Sequence, residues 1–177
     1  FFTKYKREIL PISLILILTF SRLIPHPPNF TPLIAMGILS GYFFKNVYTS
    51  FSVMLFSMLL ADVFIGFYQN MIFVYLSLFL IVFIFFKISD KVNYKNLFIC
   101  SAVGSFIFFI ISNFGVWFLG NHGASSIPYE KNINGLIECY TLAIPFFLNT
   151  FISTIIFCYC SFLVFNAFEK KLFEKIS

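Results

Sequence analysis

The sequence predicts an all-α integral membrane protein, a six-transmembrane-helix bundle with both termini cytoplasmic. Three observations carry that expectation. Apolar residues make up 60% of the chain and charged residues 11%, where a soluble domain carries about a quarter charged; the mean hydropathy is +0.94. The apolar residues fall into six segments divided by polar turns. Of the 12 Lys and Arg residues, ten (Lys4, Lys6, Arg7, Lys45, Lys87, Lys91, Lys95, Lys170, Lys171 and Lys175) lie at the N-terminus, in the even-numbered turns or in the tail. Only Arg22 and Lys131 lie at the opposite face. Basic flanks are retained in the cytoplasm, so the bias sets orientation as well as span number.

The predicted spans are 8–24, 30–44, 48–67, 70–87, 97–119 and 138–168, in one transmembrane domain covering 1–177. A span needs about 20 residues, with roughly 17–25 tolerated, so the second is short. Five spans would carry Lys87, Lys91 and Lys95 outside while Arg7 stayed inside, destroying the charge bias. In the first span Pro11 is expected in the first turn, where its missing N–H costs nothing. No small-x-small cleavage site follows that span, so it reads as uncleaved. Pro32 is expected to open the second, with Thr31 or Asn29 as cap. Pro145 lies inside the sixth span and is expected to kink it. The tail from Glu169 to Lys175 is amphipathic.

Two loops fall on the outer side. Pro25-His26-Pro27-Pro28-Asn29 is stiff because its prolines fix φ. The stretch 120–135, rich in Gly and Ser, is mobile enough to act as a lid.

Polar side chains at membrane depth are costly and face a bundle interior or a cavity. Arg22, His26, Asn29, Asp62, Asn113, Trp117 and Asn149 all fall in the outer half or the loop above it, as an outward-facing binding pocket requires. Each has a plainer reading. Arg22 can snorkel to headgroups or pair with Asp62. Asn113 and Asn149 can bond between helices, and Trp117 can anchor at the interface. Gly37 and Gly41 give the second span a small-residue face.

No catalytic, cofactor or metal motif is present, and no P-loop. Cys100, Cys139, Cys158 and Cys160 do not form a disulfide framework. The net charge of +5 follows from the topology bias, and no basic cluster carries aromatics for stacking bases, which argues against a nucleic-acid partner.

Four stretches resemble a bacterial membrane family of unknown function. They are Arg22-Leu23-Ile24-Pro25-His26-Pro27-Pro28-Asn29-Phe30-Thr31-Pro32, Ala61-Asp62-Val63-Phe64-Ile65-Gly66-Phe67, Asn113-Phe114-Gly115-Val116-Trp117 and Pro145-Phe146-Phe147-Leu148-Asn149-Thr150. That family is similar to the S components, the substrate-binding subunits of energy-coupling factor (ECF) vitamin transporters. The resemblance implies a protein of the bacterial inner membrane that captures a vitamin-sized molecule from outside, with loops 25–29 and 120–135 closing over it. Release would involve toppling within a complex of a membrane scaffold subunit and two cytoplasmic ATPases. Residues 12–19 lack the Ala-x-x-x-Ala face that many S components present to the scaffold, as expected of one that works alone. A solitary cobalamin importer would give Cys139 or His26 a place as cobalt ligand. The rival expectation is an accessory subunit of a larger membrane complex, its polar cluster holding helices together.

Overall fold

A computed structural model describes residues 2–125 and 127–174, the side chains of 2–7 and 170–174 excepted. The side chains of Lys4, Lys6, Arg7, Lys170 and Lys171, and the whole of Lys175 and Ser126, therefore lie outside the described residues. Six α-helices make up the fold: α1 (Phe2–Ser21), α2 (Leu33–Phe43), α3 (Val47–Ile65), α4 (Met71–Lys87), α5 (Leu97–Leu119) and α6 (Ile133–Glu174). A 3₁₀ turn, Ser89–Lys91, joins α4 to α5. Three of the helices, α3, α5 and α6, are long and apolar enough to cross a membrane; the apolar stretches of α1, α2 and α4 are shorter.

The helix ends follow local chemistry. Helix α1 closes with Arg22 N donating to the Thr19 carbonyl and Leu23 N to that of Phe20, ahead of Pro25, whose ring disfavours helix in the residue before it. Asn46 caps α3, its side chain accepting from the Tyr48 N–H at 2.9 Å. Gly120, at φ +72°, ends α5 in the left-handed region, where a Cβ is strained.

Three expectations about prolines are corrected or refined. Helix α1 begins at Phe2, so Pro11 lies inside it and leaves the carbonyl four residues back without its helical donor. Pro32 itself stands at the N-cap of α2 with no side-chain cap bond. Neither Thr31 nor Asn29 caps the helix with its side chain; their backbone carbonyls face α6, as described below. Pro145 lies inside α6 as expected, and the helix continues on both sides of it. Helix α6 spans 42 residues, which at 1.5 Å per residue is about 63 Å, longer than 138–168 at both ends.

The shortest helix forms the centre. Helix α2 packs against each of the other five, and Ile34 through Gly41 are all buried. A helix apolar all round belongs in an interior. Gly41 lets α4 approach it: a Cβ there would lie 2.7 Å from the Val82 carbonyl oxygen and 2.8 Å from the Phe86 nitrogen. Around this core, Phe56, Val63, Phe64, Ile72, Phe98 and Ile99 on α3, α4 and α5 are exposed, the inside-out pattern of a helix bundle solvated by lipid.

Candidate functional site

The α1–α2, α3–α4 and α5–α6 connections gather at one end of the bundle, because residues from all three line one cavity. Its volume is about 380 Å³, within the range of small-molecule sites, about 300–1,000 Å³. Pro28 and Asn29 come from the first connection, Tyr68 and Asn70 from the second, and Gly123, Ala124 and Tyr129 from the third. Helices α4, α5 and α6 supply the walls, chiefly Val74, Phe108, Phe109, Val116, Phe146 and Phe147.

The α1–α2 loop is fixed over the cavity by α6. Asn149 Nδ2 donates to the Pro28 carbonyl at 3.0 Å; Thr150 Oγ1 stands 3.4 Å from the Asn29 carbonyl oxygen and Ser153 Oγ 3.1 Å from that of Thr31, each hydroxyl sharing its proton with a carbonyl of α6, that of Phe146 at 3.0 Å and that of Thr150 at 2.9 Å. These three side chains lie within five residues of α6 and face the carbonyls of residues 28, 29 and 31 in the proline-rich loop. Asn29 takes φ +59°, a left-handed conformation that Asn tolerates better than most residues.

The α5–α6 loop is fixed by the end of α5. Trp117 Nε1 donates to the Glu130 carbonyl at 2.8 Å. Lys131 Nζ donates to the carbonyls of Trp117 and Phe118 and lies 5.5 Å from the Trp117 ring centroid. A cation at a helix C-terminus is favourable. Beneath this strap Tyr129 is buried, its hydroxyl accepting from Ala124 N at 3.2 Å.

Of the seven residues expected in the pocket, Asn29 and Asn113 line the cavity, and Arg22, His26, Asp62, Trp117 and Asn149 do not. Asn113 Nδ2 donates to the Phe109 carbonyl at 2.9 Å. His26 is exposed, with Nδ1 3.0 Å from the Pro27 carbonyl oxygen. Trp117 and Asn149 hold the two loops. Arg22 and Asp62 form an ion pair at 2.8 Å with side-chain exposures of 6% and 0%. Arg22 thus does not reach outward to headgroups. Its other amino group meets Met58 Sδ at 3.4 Å, and Tyr75 Oη donates to Asp62 Oδ2 at 2.8 Å. The network ties α1, α3 and α4 together.

Other residues take the places on the lining. Tyr68, Asn70, Ser112, Tyr129 and Cys139 supply its remaining polar atoms. Asn70 marks a helix start, and Ser112 directly precedes Asn113, so position alone pointed near them. Nothing marks Phe108, Phe109, Phe146 and Phe147 among the 29 Phe residues. Cys139 Sγ sits 3.5 Å from the Asn113 carbonyl oxygen. Among the described residues no group of three His, Cys, Asp or Glu stands close enough to hold a metal.

Among the described residues, the lining contains no Lys, Arg, His, Asp or Glu. Its loop tyrosines stay neutral at ordinary pH. Burial, reinforced by the Asp62 carboxylate and partly offset by Arg22, pushes the Tyr68 hydroxyl up to about 12. Burial also raises Tyr129, against the lowering effect of the Ala124 N–H. The chamber is apolar, aromatic and uncharged, with a few amides and hydroxyls.

An all-helical protein with three helices long enough to cross a bilayer, and a cavity beneath its loops at one end, is the class defined by this fold and site. The chain belongs to DUF6580, a family of unknown function, whose profile matches residues 2–176. No curated protein and no solved structure matches it.

Proposed function

We propose that the protein is a substrate-binding membrane subunit for uptake of a vitamin or related micronutrient, of the S-component kind, lying in the bacterial inner membrane. The observation that carries this reading is the cavity of about 380 Å³, lined from all three odd-numbered connections. Those connections face away from the basic turns, and basic turns stay in the cytoplasm. The mouth then opens to the outside, beneath loops 25–29 and 120–135.

All six helices cross the membrane in this reading. The 11 residues of α2 are few for a bilayer, but five surrounding helices shield it from lipid, and irregular backbone at membrane depth is tolerated inside protein. A membrane scaffold and cytoplasmic ATPases would be the partners for release, and the basic turns around Lys45 and Lys91 face their side.

One observation favours the second reading, an accessory subunit of a larger membrane complex. Arg22, Asp62, Trp117 and Asn149 direct their hydrogen bonds within the chain, as structural glue would. Co-purification from a native membrane separates the two. A small molecule extracted in equimolar amount from the isolated chain supports the uptake subunit. An empty extract with a second polypeptide at fixed ratio supports the accessory subunit.

A further inference from the structure

A second concavity lies on the lipid-facing side of the seam between α5 and α6. This groove, of about 290 Å³, is walled by Phe109, Leu136, Ile137, Tyr140, Thr141 and Ile144. Its two polar groups are satisfied within the chain: Tyr140 Oη donates to the Ile110 carbonyl and Thr141 Oγ1 to that of Ile137, each at 2.7 Å. What it presents outward is hydrocarbon, with Ile137 and Ile144 exposed.

Phe109 alone, among the described residues, lines both the groove and the inner cavity. Its ring centroid stands 5.5 Å from that of Tyr140 on the groove side and 5.1 Å from that of Phe147 on the cavity side. Phe109, partly buried, thus stands between the chamber and the groove, with Phe147 on one side of it and Tyr140 on the other. The two stripes of α6 meet there: Cys139, Ala143 and Phe147 face the cavity, and Ile137, Tyr140, Thr141 and Ile144 face the groove.

We infer that the α5–α6 seam is a lateral portal gated by Phe109, and that the ligand is an uncharged amphipathic molecule with a ring-bearing head in the cavity and a hydrocarbon chain in the groove. This rests on the uptake reading and narrows its substrate class. A charged head would find no counter-charge on the lining, and burying an unpaired charge is prohibitive. A neutral ring finds aromatic walls. A chain leaving through the seam stays among apolar side chains and lipid; a chain leaving through the loops would enter water.

The test uses two neutral naphthalene ketones with one headgroup, prodan with a propionyl chain and laurdan with a dodecanoyl chain, and the full chain in detergent. Binding is read as energy transfer from Trp117, the single Trp, saturating at an equimolar ratio. Both probes bind the wild type. Thr141→Phe, which fills the groove from an exposed position, weakens laurdan by about tenfold or more, because the chain loses its apolar path. It leaves prodan unchanged. Leu142→Phe, exposed on the neighbouring stripe, changes neither and controls for folding. The portal is overturned, with the cavity intact, if the wild type binds prodan but excludes laurdan, or if Thr141→Phe leaves laurdan binding as it was. Failure of both probes would remove the cavity reading as well.

Discussion

The Arg22 guanidinium meets the Asp62 carboxylate at 2.8 Å with both side chains withdrawn from solvent. Removing one partner of such a pair leaves a buried charge uncompensated, a loss of about 3–5 kcal/mol. Asp62→Asn is therefore expected to lower the thermal midpoint of the purified protein sharply. The double variant Arg22→Met/Asp62→Leu recovers part of the loss, since apolar side chains replace buried pairs at little cost. Differential scanning fluorimetry of the wild type and the two variants reads this directly. A wild-type midpoint in Asp62→Asn would mean that the pair does not hold α1 to α3.

Asn149→Ala is expected to loosen the 25–32 loop with little change in the bundle. One hydrogen bond to the Pro28 carbonyl is lost, on the order of 1 kcal/mol. Hydrogen exchange should rise at Phe30 and its neighbours while α2 stays protected. Equal exchange in variant and wild type would show the loop to be held otherwise.

Lys131→Ala removes the cation from the end of α5 and the contact with Trp117, each on the order of 0.5–1 kcal/mol. The strap over the cavity should open more often. Cys139, buried on the cavity lining, then reports the opening: N-ethylmaleimide should label it several-fold faster in the variant. Identical labelling rates would separate Lys131 from any role in covering the cavity.

Gly41→Ala should fail by a steric route. The new Cβ would meet α4 backbone atoms at 2.7–3.0 Å, and backbone cannot rotate away as a side chain can. Overpacking of this kind costs about 1–3 kcal/mol, seen as a lower thermal midpoint with binding retained below it.

Binding in the cavity is expected to be flat from about pH 6 to 9, since among the described residues no carboxylate, imidazole or amine lines it. For stability, Tyr68 acts only in strong alkali. Its folded value of about 12 lies above the ordinary 10.0, so its protonated form contributes fully below pH 10. That contribution is lost as the pH rises from 10 towards about 12. Tyr68→Phe should lack this part of the alkaline loss. A titration of ligand affinity near pH 6.5 would instead place a His in the site.

Helix number and the end at which the cavity lies were legible because both are written in coarse properties, hydropathy runs and the positions of Lys and Arg. The prolines at 25, 27 and 28 marked the loop that ends α1. The roles of individual polar groups were not legible. Arg22, Asp62 and Asn149 were expected at one depth, but depth does not say which way a side chain turns. Asn149 turns to a carbonyl of the proline-rich loop, a contact across 121 positions. The cavity walls were hidden for the opposite reason: Phe is so common here that Phe109 and Phe147 look like any lipid-facing residue. Pro11 was misplaced because the polar residues before Glu8 extend α1 beyond its apolar stretch.

The central claim is that the cavity holds a small molecule, and Ala143 offers the sharpest probe of it. Ala143 is buried on the lining, and Ala143→Phe fills the chamber. Mass spectrometry of extracts from wild type and variant, purified side by side, should find an equimolar metabolite in the wild type and none in a variant of unchanged thermal midpoint. An empty wild-type extract, or the same metabolite at the same ratio in both, would contradict the account.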